Sequence, residues 1–182
     1  MNALAIVGSR NPNGQTARAT DAFLQGIEAE GGAVERVFLP AGRFERCRQC
    51  DENGWGICRS DGRCVIEDDF APLVERIRAA DVVLFATPVY FSDLSESLRA
   101  FTDRLRRTCM NETGKAGIRE KRTFGICVAG GGGGGAPACC TSLDRVLRTC
   151  GFDLVDTVPV RRQNLEMKLG TLRAAGRALA CY

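Results

Sequence analysis

The sequence predicts a doubly wound α/β domain, a three-layer sandwich in which a five-stranded parallel sheet lies between helices on both faces. Two observations lead there. Short apolar runs of strand length alternate with stretches of helical period along the whole chain. Alternation of that kind, joined by right-handed crossovers, leaves few other architectures. A third observation concerns placement. The loops richest in Gly, Ser, Asn and Pro follow the first, third and fourth apolar runs, so they meet at the carboxyl edge of the sheet, where such folds bind ligands.

The elements follow in order. Leu4 to Val7 is a short buried strand, and Gly8 to Gly14 breaks it with turn formers. A helix then starts near Gln15, capped by Asn13 or Thr16, with Thr20, Phe23, Leu24 and Ile27 on one face and Gly31-Gly32 at its end. Val34 to Leu39 is the second strand, closed by Pro40, and Ala41 to Asp69 is a long irregular insertion holding four cysteines. Asp68 or Asp69 caps a helix through Phe70, Leu73, Val74 and Ile77. Val82 to Ala86 is the clearest buried strand, Thr87 to Phe91 a loop, and Ser92 or Asp93 opens a helix through Leu94, Leu98, Phe101 and Leu105. After a polar connection, Asn111 to Lys121, come a strand from Thr123 to Ala129 and six consecutive glycines, Gly130 to Gly135. Leu143, Val146, Leu147 and Cys150 mark the next helix, Phe152 to Val160 the fifth strand, and Leu165, Leu169, Leu172 and Leu179 a closing helix.

Composition narrows the function. The 182 residues suit one domain, 1–182, and a 45% hydrophobic and 26% charged content is that of a soluble protein. A net charge of +3 with scattered arginines argues against nucleic acid, and no apolar run is long enough for a membrane span. The N-terminus runs straight into the first strand, so a cytoplasmic location is expected. With no His, imidazole acid–base catalysis and His-ligated zinc are excluded. Ten cysteines in such a chain point to free thiols, metal ligands or redox groups.

The first loop matches neither common nucleotide loop. Walker A needs Lys after its second Gly, where Gln15 and Thr16 stand, and Gly8 and Gly14 do not make G-x-G-x-x-G. What remains, Ser9, Arg10, Asn11, Asn13, Gly14, Gln15 and Thr16 at a helix start, suits one terminal phosphate or an ordinary turn.

The order of Gly8 to Thr16, the cysteine segment ending Glu67-Asp68-Asp69, Ala80-Asp81, Thr87-Pro88-Val89-Tyr90-Phe91 and Phe101-Thr102-Asp103-Arg104 resembles the flavodoxin-fold NAD(P)H-dependent FMN reductases. The nearest branch holds the multimeric flavodoxins and the iron–sulfur flavoproteins. The resemblance runs from Met1 to about Val160. It implies a flavodoxin-like strand order 2-1-3-4-5, FMN as cofactor and NAD(P)H as substrate. It also implies phosphate binding by Ser9, Arg10, Asn11, Asn13, Gly14, Gln15 and Thr16, and Pro88, Val89, Tyr90 and Phe91 along the ribityl chain and ring. Gly130, Gly131, Gly132 and Gly133 would bring backbone N–H groups to the pyrimidine end of the flavin, which glycine permits. Asp103-Arg104 is expected as a structural ion pair.

The cysteine segment reads Cys47-x2-Cys50-x7-Cys58-x5-Cys64. Four thiols in 18 residues suit an iron–sulfur cluster or an all-cysteine zinc site, and relatives also keep such cysteines with no metal; all three readings stay open. The seven-residue gap departs from the iron–sulfur flavoproteins, whose second gap is very short. Trp55 between two glycines reads as a surface or lid group, Cys127 and Cys150 as packed thiols, and Cys139 and Cys140 as thiols at a helix entry, with a redox role as the alternative.

The function expected is an FMN-containing NAD(P)H-dependent oxidoreductase passing electrons to free flavin, a quinone or a similar small-molecule acceptor. Its chemistry runs through the flavin, so the missing His does not count against it. The alternatives are an iron–sulfur flavoprotein carrier reduced by ferredoxin, and a flavin-free phosphate-binding or redox-sensing module. By analogy with the family, a homodimer or homotetramer is expected.

Overall fold

The computed structural model describes residues 1–181. Its sheet has the order β2-β1-β3-β5-β6, all parallel, built from β1 (Asn2–Val7), β2 (Ala33–Phe38), β3 (Val82–Tyr90), β5 (Arg122–Ala129) and β6 (Asp153–Arg161). Counted without β4, this is the expected order 2-1-3-4-5. The sixth strand, β4 (Asp93–Leu94), was not expected and pairs antiparallel with the end of β3.

Period-two alternation sorts the sheet residues between two helical layers. Ala3, Ala5 and Val7 of β1, Leu84 of β3 and Ile126 of β5 face α1 (Gln15–Ala29) and α7 (Leu165–Ala180). Leu4, Ile6, Phe85 and Cys127 face α3 (Phe70–Ala79), α4 (Glu96–Thr108) and α6 (Ala136–Cys150). Helices α1 and α7 cross at Gly26 and Gly176, where a Cβ on Gly26 would overlap the Arg173 carbonyl oxygen and one on Gly176 that of Phe23. Only glycine allows this approach.

The insertion 41–69 is tethered to the sandwich. It carries one short helix, α2 (Ile57–Ser60), and its end is held by Arg104 of α4. The polar connection after α4 likewise folds one turn, α5 (Glu112–Lys115). Among the described residues, no helix is long and apolar enough to cross a membrane.

Two expectations about α4 and its ion pair are corrected. The helix opens one turn later than Ser92 or Asp93, at Ser95, whose Oγ accepts from the Leu98 N–H. Strand β3 continues through Thr87-Pro88-Val89-Tyr90, and Ser92 and Asp93 are used in the hairpin that follows. Asp103 pairs with Arg106, not Arg104. Arg104 is buried and makes a bidentate pair with Asp68, at 2.6 and 2.9 Å.

Candidate functional site

The first loop is folded by its own side chains. Gly8 N–H donates to Ala86 O at 2.8 Å, which pins the end of β1 to β3. Asn11 Oδ1 accepts from the Asn13 N–H at 3.0 Å, an Asx turn, and Gly14 N–H closes on Asn11 O at 3.2 Å. Ser9, nearly buried, meets Asn11 through its Oγ. These bonds deliver the chain into α1 at Gln15 with Gly14 at the cap position. Neither Asn13 nor Thr16 caps the helix, and no side chain does. The first-turn N–H groups therefore have no partner from within the helix or from a capping side chain. A helix end of this kind, with hydroxyls and amides around it, holds an anion.

A second wall comes from the hairpin of β3 and β4. Val89 pairs with Leu94 and Tyr90 with Asp93, leaving Phe91 and Ser92 as a two-residue turn. Both take positive φ, +48° and +64°, as a type I′ turn demands. Phe91 projects fully into solvent, and Tyr90 is half exposed. The hairpin is braced from below by buried and half-buried hydroxyls. Ser95 N–H donates to Thr87 Oγ1 at 3.0 Å, and Ser97 Oγ donates to Gly8 O at 3.0 Å, linking β3, α4 and the first loop. Asp93 accepts from the Leu94 N–H and from Arg99. Burial works against its ionisation, and these donors outweigh it and lower its pKa.

The glycine run forms the third wall. Gly131 O accepts from Gln163 Nε2 at 2.7 Å, Gly133 lies against the Arg161 stem, and Gly135 packs on Ser92 before α6 begins. Beneath it Cys127 touches Cys139 and Cys140, and these contacts together with burial push the Cys127 thiol pKa up. Cys139 and Cys140 are buried as well, in the first turns of α6.

The three walls enclose a cleft of about 510 Å³, in the range for small cofactors. Ser9, Asn11, Asn13, Gly14, Gln15, Thr16, Pro88, Val89, Tyr90 and Gly130 line it. Arg10, Phe91, Gly131, Gly132 and Gly133 are not in the lining; they lie on the same loops, outside it. Two lining residues were missed by sequence reasoning, Arg18 and Val128. Arg18 stands four residues after Gly14, one turn into α1 and on the same face, which is a readable signal. Val128 carries none, being one apolar residue among several in its strand. The cleft fits a flat group with one terminal phosphate, since it offers an uncapped helix start at one wall and apolar and aromatic surface at another.

The cysteine segment makes a separate, small chamber. Cys47, Cys50, Cys58 and Cys64 all line it, with Arg104 and Arg107, around about 20 Å³ of open space, room for one water. Arg104 Nε approaches Cys64 Sγ at 3.4 Å, and its other donors reach Asp68, Glu45 O and Ile66 O. Burial opposes the charge on Arg104, and the bonds to Asp68 and Cys64 outweigh it and raise its pKa. The donor set suits iron–sulfur or zinc chemistry. As spaced here, no three His, Cys, Asp or Glu side chains among the described residues are placed to share one ion. Trp55 lies beside the chamber with Arg107 stacked on it at 4.4 Å and Arg59 at 5.6 Å.

Known proteins resemble this chain in sequence and in fold. An iron–sulfur flavoprotein of Archaeoglobus fulgidus is 31% identical over 105 residues, which is 58% of this chain and 46% of that protein. An iron–sulfur flavoprotein of Methanosarcina thermophila is 31% identical over 120 residues, 64% of this chain and 60% of that protein. The chain thus spans about half the length of the curated relatives it matches. Among solved structures, the NAD(P)H:quinone oxidoreductase from Methanothermobacter marburgensis superposes with a TM-score of 0.71 at 22% identity, covering 98% of this chain and 96% of that one. That likeness shows the shared flavodoxin-like fold. The family model described as NADPH-dependent FMN reductase matches residues 1–163. With that match over nearly all of its length, the chain belongs to the NADPH-dependent FMN reductase family.

Proposed function

We propose that this protein is an FMN-containing, NAD(P)H-dependent oxidoreductase that passes electrons to free flavin, a quinone or a similar small acceptor. The observation that supports it is the single cleft in which an uncapped helix start faces the walls contributed by β3 and the glycine run. Bound there, FMN supplies the capacity to accept a hydride from reduced nicotinamide and to release its electrons to an acceptor. Ser9, Thr16 and the first-turn N–H groups of α1 hold the phosphate, with Asn11, Asn13, Gly14 and Gln15 around it and Arg18 as the cation lining the cleft. Pro88, Val89 and Tyr90 flank the ribityl chain and ring, and Gly130 brings the backbone to its far edge. Phe91 and Gly131 to Gly133 cover the ring from outside the lining, and Arg10 raises the local positive potential. Fully exposed Phe91 supports assembly as a homodimer or homotetramer, in which its ring is covered.

The test is spectroscopic. The FMN-loaded protein, mixed with NADPH or NADH without oxygen, is expected to lose its yellow absorbance rapidly; a spectrum unchanged by either nucleotide refutes the reading. Replacing Ser9 by Ala together with Thr16 by Val removes two hydroxyls from a charged ligand. A net loss of about 1.5 kcal/mol or more raises the FMN dissociation constant roughly tenfold or more in a fluorescence titration. An unchanged constant refutes the phosphate assignment.

A second reading rests on the four-cysteine donor set, which lines one chamber with Arg104 at Cys64 but, as spaced here, does not converge on a single ion. In it the protein is an electron carrier with a metal centre at Cys47, Cys50, Cys58 and Cys64, reduced by a ferredoxin. Protein purified without oxygen then carries iron, and Cys58→Ser removes its visible absorbance while sparing that of the flavin. Iron-free protein refutes it, since zinc carries no electrons.

A further inference from the structure

Strand β5 carries a glycine in its middle, Gly125, and that gap sets how closely α6 packs on the sheet. A Cβ there would lie 2.9 Å from Thr157 Cγ2 and 3.0 Å from Leu143 Cδ2, so glycine lets the helix come near. Cys127 follows two residues later on the same face of the strand, and Cys139 and Cys140 precede Leu143 by one turn of α6. The close approach therefore gathers three thiols, and Cys127 touches both of the others. Cys127 and Cys139 have no exposed surface, whereas Cys140 keeps 7% of its own. Above them Gly130, Gly131, Gly132 and Gly134 have open space where a side chain would stand. A small oxidant entering past the glycine run reaches Cys140 first.

The chemistry of the three thiols differs. The thiolate is the reacting form of cysteine. Contact with the Cys127 thiol holds the Cys140 pKa below its ordinary value against the opposing pull of burial, and the Thr157 hydroxyl adds to the effect. Cys127 is the partner that keeps its proton, because Cys139, Cys140 and burial all push its pKa up. Cys140 is thus the nucleophile of the cluster. Cys139 is its neighbour along a helix, where successive side chains point about 100° apart and do not face each other. The sulfur that meets Cys140 from across the packing interface is Cys127.

We propose that Cys140 and Cys127 form a site oxidised by hydroperoxides, with Cys140 as the attacking sulfur and Cys127 as the one that closes the disulfide. The Cys140 thiolate attacks the terminal oxygen of ROOH, and the O–O bond breaks. Cys140 becomes a sulfenic acid, and the departing alkoxide takes up the proton that Cys140 had released, giving ROH. The Cys127 sulfur then attacks the sulfenic sulfur, the S–O bond breaks, and the Cys127 proton leaves with the hydroxyl as water. Two thiols are oxidised by two electrons, and one hydroperoxide is reduced. No step uses the cofactor. The bond formed spans the glycine run, from the end of β5 to the first turns of α6.

The experiment counts thiols in the full chain as purified, first reduced and then exposed to a small excess of hydrogen peroxide. Remaining thiols are alkylated with N-ethylmaleimide in denaturant, and trypsin releases Cys127, Cys139 and Cys140 on one peptide, Thr123–Arg145. Reduced protein gives that peptide with three labels. Peroxide-treated protein is expected to give it with one label, on Cys139, and dithiothreitol restores all three. In Cys127→Ala the sulfenic acid has no partner, and dimedone is expected to trap it on Cys140. Cys140→Ala keeps both of its labels after peroxide, and Cys139→Ala still forms the bond and carries none. Cys109 and Cys150 also touch but have no exposed surface, and they are expected to stay unlinked. Three labels after peroxide in the wild type overturn the proposal, whether or not any variant folds. A bond that requires Cys139, a dimedone adduct on Cys139 in place of Cys140, or linkage of Cys109 to Cys150 at the same rate overturns it as well.

Discussion

Asp68→Asn tests the joint between the cysteine segment and the sandwich. Asp68 and Arg104 both have side chains at most 1% exposed. Asp68 accepts two bonds from Arg104, at 2.6 and 2.9 Å, and two more from the Glu45 and Phe70 N–H groups, at 2.8 and 3.2 Å. An amide in its place keeps one acceptor, turns N–H groups toward donors, and leaves the guanidinium charge buried. Breaking one side of such a pair costs about 3–5 kcal/mol. A domain of this size has roughly 5–15 kcal/mol in total. With a urea dependence of about 2 kcal/mol per molar, the midpoint falls by roughly 2 M. Urea unfolding followed by far-UV circular dichroism and by the fluorescence of Trp55, the only tryptophan, reads the whole fold and the insertion separately. The double variant Asp68→Asn with Arg104→Met is expected to recover most of the loss, because an apolar replacement removes the buried charge as well. Asp68→Asn within about 1 kcal/mol of wild type refutes the argument, since a solvated pair contributes no more than that. Acid gives a second readout. Burial opposes ionisation of Asp68, but Arg104 and the two N–H groups hold its pKa below the ordinary 3.8. Its contribution is therefore fully present above pH 3.8 and is lost as the pH falls through the lower folded value.

Two further perturbations test other joints. Gly26→Ala improves helix propensity by about 1 kcal/mol, yet its methyl meets the Arg173 carbonyl of α7, and the overpacking cost of about 1–3 kcal/mol lowers or at best preserves the urea midpoint; a clear rise refutes the close crossing. Phe91→Asn places a residue tolerant of positive φ in the hairpin turn, so the melting temperature rises by a few degrees, about 1 kcal/mol in a chain of this length; a fall refutes the strained turn.

Much of the fold was legible because its signals are local. The strand-to-helix switch at Gly8 to Gln15 and the buried run Val82 to Ala86 declare themselves by period alone. The start of α4 did not. Ser92 and Asp93 look like caps in isolation, and only pairing of Tyr90 with Asp93 reassigns them to a turn, which leaves Ser95 as the cap. The partner of Arg104 was hidden for a different reason. Asp68 lies 36 residues away, whereas Asp103, the neighbour in sequence, points along the helix to Arg106. Within the site, hydroxyl- and amide-bearing loop residues announced themselves by type. Arg18 and Val128 reach the cleft by the geometry of their elements.

The six glycines are not equivalent, and the difference bears on binding thermodynamics. Gly133 and Gly135 are hemmed in by Arg161 and Ser92, whereas Gly130, Gly131, Gly132 and Gly134 have open space where a Cβ would stand. Of these, Gly130 and Gly131 are held through their carbonyls, which accept from the Gly133 N–H and from Gln163 Nε2, so Gly132 and Gly134 keep the most backbone freedom, and each loses on the order of 1 kcal/mol of it when a ligand orders the run. The loop is thus an entropic spring fastened at Gly130, Gly131, Gly133 and Gly135, with Gly132 and Gly134 free between them. A ligand that closes it binds with a favourable enthalpy and a large opposing entropy, and one that leaves it open does not, so calorimetry alone distinguishes them. The same opposing entropy speeds release of any ligand that closes the loop.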